Sequence, residues 1–250
     1  MRLDLFLLQH KNIESRTKAQ DLIENGFVVY KNQIIKKPSF DVTPETAQDI
    51  QVLENDLGQY VSRAGHKLQG ALHHLKLNVK DKIILDIGQS TGGFTDCLIQ
   101  SGASFVVGVD VGSQQLHKKI RSLPAVKAFE NLNVKDLGSH DEFKKEVPQK
   151  LFDGVVCDVS FISLTKVVAF LEPLIHSGAF FLFLVKPQFE CGPENLDKNG
   201  IVADPKIYKL IESNITSLCE KIFSTKTEFF ASSITGKDGN REFFIYGQKK

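Results

Sequence analysis

Four stretches of this chain are apolar at successive positions rather than at alternate ones: Ile83-Ile84-Leu85, Phe105-Val106-Val107-Gly108-Val109, Gly154-Val155-Val156-Cys157 and Phe180 to Val185. Short runs of this kind are strands buried on both faces. The first three close on an acid, Asp86, Asp110 and Asp158, and the fourth on Lys186. Helix-length stretches lie between them. This βαβα rhythm predicts an α/β fold with a doubly wound, mainly parallel sheet whose ligand sits at the C-terminal edge of the strands. The closing stretch Glu242 to Gly247 is the expected last strand, antiparallel and at the edge. Val167 to Val185 has the length of a membrane span but is broken by Glu172-Pro173, His176 and Ser177-Gly178. It reads as a helix, a turn and a fresh buried strand.

The first 58 residues have another character. Two short helical patterns precede strand-like pieces, Phe27-Val28-Val29-Tyr30 and Gln33-Ile34-Ile35, around a turn at Lys31-Asn32. Ser15 caps the second helix and Gly26 ends it. Net charge over the whole chain is only +1, which excludes a general polycation but not a basic face. Residues 1–40 hold seven Lys/Arg against four Asp/Glu, whereas 41–58 are acidic. A composition 42% hydrophobic and 24% charged is that of a globular protein. Cys97, Cys157, Cys191 and Cys219 are widely separated, without C-x-x-C or metal-ligand spacing, so reduced thiols and no metal site are expected. The N-terminus has no signal-peptide pattern, which points to the cytoplasm.

Candidate chemistry gathers at the strand ends. Asp86-Ile87-Gly88-Gln89-Ser90-Thr91-Gly92-Gly93-Phe94 joins a strand to a helix, with glycines that let the backbone approach a ligand. It lacks the G-x-G-x-x-G spacing that cradles a pyrophosphate, and an acid ahead of the loop suits an amino group instead. S-adenosylmethionine, with its ammonium and sulfonium, matches that requirement. One strand later Asp110 lies where an acid meets ribose hydroxyls. The alternative role for both acids is to cap the helices that follow; their place at strand ends with glycine beside each favours ligand binding.

Lys67, Asp158, Lys186 and Glu242 are the residues suited to moving a proton during methyl transfer. In-line displacement onto a hydroxyl needs an aligned acceptor oxygen and somewhere for its proton to go. Lysine can act as base or as positive charge beside a developing oxyanion. A second lysine lowers the basicity of the first and two acids raise it, so the balance stays open at this stage.

Taken together, D-x-G-x-S-T-G-G-F-T-D, V-D-V-G-x-x-Q-L, D-V-S-F-I-S-L, V-K-P-Q-F-E and G-x-x-G-N-x-E-F resemble the TlyA family of ribosomal RNA cytidine-2′-O-methyltransferases, also called haemolysins. The likeness covers essentially the whole chain. The initial R-L-D-x-x-L and S-R-x-x-A-x-x-L-I-x-x-G resemble the S4-like RNA-binding domain. The second part is similar to the FtsJ-like RNA 2′-O-methyltransferases, whose Lys-Asp-Lys-Glu tetrad corresponds to Lys67, Asp158, Lys186 and Glu242.

The resemblance implies a small α+β S4-like domain over residues 1–59, a linker over 60–68 and a Rossmann-like methyltransferase domain over 69–250. It implies Lys186 as base, with the other three positioning it. It places S-adenosylmethionine against Asp86, Gly88, Ser90, Thr91, Gly92, Gly93, Phe94, Asp110 and Asn133. Arg2, Arg16, Lys18, Lys31, Lys36, Lys37 and Arg63 would meet RNA phosphates, with Arg63 and Lys67 coupling RNA contact to catalysis. Phe94, Phe161 and Phe189 are expected in the core. The implied partner is ribosomal RNA or a ribosomal subunit, with no membrane and no DNA.

Three departures stand out: Gln89 replaces a small residue, Lys135 stands where the family tends to have arginine, and the chain begins almost at the RNA-binding motif. The last resembles the family's shorter forms and favours the large-subunit RNA. The competing classes are a non-catalytic ribosome-assembly factor with the same RNA surface, and a membrane-active haemolysin, for which no basic amphipathic helix is apparent.

Overall fold

The computed structural model describes residues 1–24, 27–31, 33–52, 59–147, 151–236 and 239–250. Two compact units emerge, Met1–Arg63 and Ala64–Lys250. Gly26 and Asn32, expected to end a helix and to form a turn, lie outside the described residues.

The first unit runs α1 (Leu3–His10), α2 (Arg16–Glu24), β1 (Val28–Tyr30), β2 (Gln33–Ile34), α3 (Pro44–Ala47) and β3 (Ile50–Val52), its strands ordered β2-β1-β3. Ser15 caps α2: its Oγ accepts the Lys18 N–H at 3.1 Å. Leu3, Leu7, Leu22, Ile23, Val28 and Ile50 form the core. Asp4 is buried beside it, and its carboxylate is fully used. Arg2, Arg16 and Gln20 donate to it, each through a contact of 2.9 Å, and the Leu5 N–H adds another at 3.0 Å. These donors, led by Arg2, hold the carboxyl well below the usual carboxylate range.

The second unit begins with α4 (Ala64–Leu75), so the expected linker is helical from Ala64 onward and Lys67 sits in a helix. The chain continues with β4 (Ile83–Ile87), α5 (Gly93–Gln100), β5 (Phe105–Val109), α6 (Lys118–Arg121), β6 (Val126–Phe129), α7 (Asp141–Glu146) and β7 (Phe152–Cys157). After β7 come β8 (Ile175–Val185), α8 (Pro187–Glu190), α9 (Lys206–Phe223), β9 (Thr227–Ala231) and β10 (Phe243–Gln248). The helix expected after Val167 is instead a series of short 3-10 turns, the last carrying Pro173, before the longer β8.

Among the described residues the sheet has seven strands, in the order β6-β5-β4-β7-β8-β10-β9. All neighbours from β6 to β8 are parallel, and β10 is antiparallel to both β8 and β9. The expected closing strand is thus antiparallel, but β9 covers it and takes the edge. The doubly buried runs account for the centre of the core, where Phe181, Phe183 and Phe223 pack together. Successive residues of β10 face opposite sides: Phe244 stacks with Phe94 of α5 at 6.3 Å, while Phe243 meets Tyr208 of α9 at 5.5 Å. The strand order reverses between β4 and β7. Their outgoing loops diverge there and leave a crevice at the C-terminal edge.

Candidate active site

The loops leaving β4 and β7 meet through backbone. The Asp158 N–H donates to the Ile87 carbonyl at 2.9 Å. Gly88 has φ +81°, and a Cβ there would come within 2.5 Å of the Asp158 carbonyl oxygen. Glycine is therefore required twice over, by conformation and by space. Beyond it Ser90 turns at φ +46°. Its N–H donates to Asp110 Oδ2 at 2.7 Å, while the Gly112 N–H donates to Asp110 Oδ1 at 2.7 Å. Asp110 thereby ties its own loop to the β4 loop, and each oxygen keeps a lone pair for another donor.

Thr91 and Ser90 are exposed, Gly92 takes a left-handed conformation (φ +92°) at the cap of α5, and Gly93 is buried. Phe94, expected in the core and against cofactor, is a packed side chain, buried and stacked on Phe244. Asn133 is half-buried and caps a 3-10 turn by accepting from the Lys135 N–H at 3.2 Å.

Asp86 is completely buried. The Thr95 hydroxyl donates to its Oδ2 at 2.6 Å, and Gln89 Nε2 donates to that hydroxyl at 2.9 Å. Gln89 fits because residue 108 is glycine; any Cβ at that position would fall on the Gln89 amide. Asp86 Oδ1 has no hydrogen-bond partner. Burial pushes the carboxyl up to about 7, with Thr95 pulling the other way and the charges of Asp158 and Asp110 adding to the rise. A buried acid with one orphaned oxygen and a rising pKa is matched by a cation. Glycines beside it and Asp110 one strand away complete a donor and acceptor set that fits an ammonium at one end and hydroxyls at the other.

On the other side of the crevice lie two ion pairs. Lys67 Nζ is 2.6 Å from Glu242 Oε2, and both side chains are buried. Lys186 Nζ is 2.5 Å from Asp158 Oδ1 and donates to Ser160 Oγ at 2.8 Å. Pairing of Phe243 with Val185 brings Glu242 and Lys186, one residue beyond each, to the same end of neighbouring strands.

The β7 and β8 loops are tied again by Glu190, which accepts from Ser163 Oγ at 2.5 Å and the Leu164 N–H at 2.8 Å. Burial raises its carboxyl above the usual range. Phe161 is not core: its side chain is 91% exposed at φ +62°, with the half-buried Phe189 ring 5.2 Å away. Ser160, Glu190 and Gln89 stand within or beside the motifs noted in the sequence, but this orientation and the partners of those residues were not expected. Among the described residues no cluster of ligating side chains could hold a metal, and no helix is long and apolar enough to cross a membrane.

In the first unit Arg2 and Arg16 are half-exposed while holding Asp4, so their outer edges remain accessible. Lys36 and Lys37 are exposed, Lys18 is half-buried, and Lys31 lies 3.9 Å from Asp49. Arg63 is the last residue of this unit and is half-buried.

A mainly parallel sheet with one late reversed strand, a glycine-rich turn beside buried acids and two Lys–carboxylate pairs at one edge define a nucleoside-cofactor methyltransferase of the α/β type. Comparison gives the particular family. Residues 60–249 match the FtsJ-like methyltransferase model and residues 1–47 the S4 domain. The chain belongs to the FtsJ-like methyltransferase family and carries an S4 domain ahead of it.

It is 39% identical over 246 residues to Bacillus subtilis YqxC, covering 98% of this chain and 84% of that one. It is 34% identical over 261 residues to the 23S rRNA (cytidine-2'-O)-methyltransferase TlyA of Campylobacter jejuni, covering 98% of both. A solved hemolysin-type structure from Streptococcus thermophilus superposes with a TM-score of 0.74 at 32% identity, covering 100% of this chain and 88% of that one.

Proposed function

We propose that this protein transfers a methyl group from S-adenosylmethionine to the 2′-hydroxyl of a cytidine in large-subunit ribosomal RNA, in the cytoplasm. The observation that carries the proposal is the pair of ion pairs, Lys67–Glu242 and Lys186–Asp158, at one end of neighbouring strands beside a loop whose buried acid wants a cation. The relatives named above point to the same substrate class.

When bound, S-adenosylmethionine supplies an electrophilic methyl carbon on a sulfonium. Asp86 offers its orphaned oxygen to the ammonium, Asp110 offers lone pairs to ribose hydroxyls, and the glycines at 88 and 92 admit the ligand close to backbone. Lys186, held by Asp158 and Ser160, would steer the acceptor hydroxyl and take its proton as the C–O bond forms and the methyl–sulfur bond breaks to leave a neutral thioether, which requires the amine to enter that step uncharged. Asp158 and Lys186 together fix the approach line, which is where most of the rate of an in-line displacement originates. Lys67 and Glu242 neutralise each other while buried and set a fixed field beside Lys186. The basic residues of the first unit, Arg2, Arg16, Lys18, Lys31, Lys36, Lys37 and Arg63, hold phosphates and so select structured RNA without reading bases.

The test is transfer of labelled methyl to isolated small and large subunits by the wild-type chain and by Lys186→Ala. Label on ribose of the large subunit, absent with the variant, is the expected result. Label on the small subunit alone would refute the target, and no label despite cofactor binding would refute the activity.

A further inference from the structure

We propose that Arg241 is a docking point for a backbone phosphodiester of the RNA substrate, next to the reacting ribose; the proposal rests on the RNA-modifying reading above. Arg241 immediately precedes Glu242 but points to the opposite side of the sheet, because residues alternate along an extended chain. Its guanidinium lies 5.6 Å from the Tyr208 ring centre and 5.7 Å from that of Phe243. Phe243 stacks in turn with Phe229 at 5.2 Å, so the cation rests on a rigid aromatic step.

The backbone on which it stands is pinned as well. Asn240 is buried, donates to the Gly200 carbonyl at 2.9 Å and accepts from the Val202 N–H at 3.3 Å. Glu242 on the other side is held by Lys67. Two anchored neighbours and two rings leave the exposed arginine little freedom to lose on binding, which is how a charged side chain becomes a useful contact rather than a solvated one.

Among the described residues no carboxylate pairs with Arg241. Tyr208 sits in the first turn of α9 between the exposed Lys206 and Lys209, and that turn contains no acidic residue. Asp204 accepts the Lys206 N–H at 2.9 Å just ahead of the helix, and the exposed Glu212 follows Tyr208 by one turn.

The position suits substrate. Continuing the Phe243–Val185 pairing puts Glu242 across from Lys186. One strand spacing of about 5 Å and one residue step of about 4 Å then separate the Lys186 and Arg241 backbones, well within reach of a flanking nucleotide. Guanidinium is also the group whose planar fork matches phosphate best.

The competing explanation is that Arg241 only covers apolar rings with its stem. Binding of a ribosomal RNA fragment to the full-length protein, measured by fluorescence anisotropy across a salt series, separates the two. Arg241→Met keeps the cover and removes the charge, Arg241→Lys keeps the charge, and the thermal transition is followed for each. The Met variant is expected to bind about tenfold more weakly and to flatten the slope of log affinity against log salt by about 0.7 to 1, whereas Lys retains the slope. Cofactor affinity stays at the wild-type value in both.

An unchanged slope in Arg241→Met overturns the proposal, whatever happens to affinity or melting. Because binding is read apart from turnover, absence of methyl transfer by the wild type would strike the catalytic reading and not this one.

Discussion

The Lys67–Glu242 pair offers the sharpest quantitative test of the site. Both groups are almost wholly removed from water, with 8% and 4% of their surfaces exposed, and their charged atoms are 2.6 Å apart. Replacing Glu242 with glutamine leaves an ammonium buried with only a neutral amide oxygen to accept from it. Breaking a buried pair in this way costs about 3 to 5 kcal/mol, and the retained acceptor favours the lower end, about 3 kcal/mol. For a unit of this size each kcal/mol moves the transition by roughly 2 to 4 °C, so a fall of about 6 to 12 °C is expected.

The compensated variant Lys67→Met/Glu242→Leu removes both charges and fills the space with apolar groups. Its stability should return to within about 1 kcal/mol of wild type, because the desolvation of two ions disappears with their attraction. A double-mutant cycle by urea denaturation measures the coupling, with methyl transfer assayed in parallel. Activity should stay absent in the compensated protein although folding and cofactor binding return. A Glu242→Gln loss below about 1 kcal/mol would show that the pair is effectively solvated. Equal damage in the double variant would show that shape, not charge, holds the position.

Four further outcomes are expected. Affinity for S-adenosylmethionine, followed by calorimetry, should tighten as pH rises through about 7 and then level off, because Asp86 must give up its proton to meet the ammonium; Asp86→Asn should remove that dependence. The same raised carboxyl makes the ligand-free protein lose stability as pH climbs from the unfolded value of about 3.9 toward 7, since the folded state favours the protonated acid. Gly108→Ala should evict the Gln89 side chain and weaken cofactor binding, and adding Gln89→Ala should recover part of the loss, as measured in the same titrations. Native protein should react with a thiol reagent at Cys191 alone on a short time scale, since Cys97, Cys157 and Cys219 are buried and burial pushes the Cys219 thiol up to about 12; mass spectrometry after labelling would count them.

The centre of the sheet was legible because strands buried on both faces leave uninterrupted apolar runs. The edges were not. β9, Thr-Glu-Phe-Phe-Ala, is partly exposed and carries an acid, so it has no such run, and missing it made β10 look like the margin. The glycine-rich loop could be located from Asp86 to Phe94, but periodicity does not say which members face a ligand. Phe94 turned inward onto Phe244, whereas Phe161 turned outward because its backbone takes a positive φ that its composition does not announce. The four residues of the two ion pairs are scattered from α4 to the start of β10, and only resemblance gathered them in advance. Their partnership, lysine with acid twice over, depends on strand order and could not be read from spacing.

The interior place of β10 has a consequence for how this protein is made. A growing chain emits β9 before β10, yet β9 has no neighbour in the sheet until β10 slots between it and β8. During that interval β8 presents an open apolar edge, the kind of surface that invites chaperones or mispairing. Glu242 arrives with the same segment, so Lys67, synthesised far earlier, waits for its counter-ion until the final strand is inserted. The nascent chain can assemble its glycine-rich loop first and its Lys67–Glu242 pair last, so this edge of the sheet is complete only when the last strand is in place.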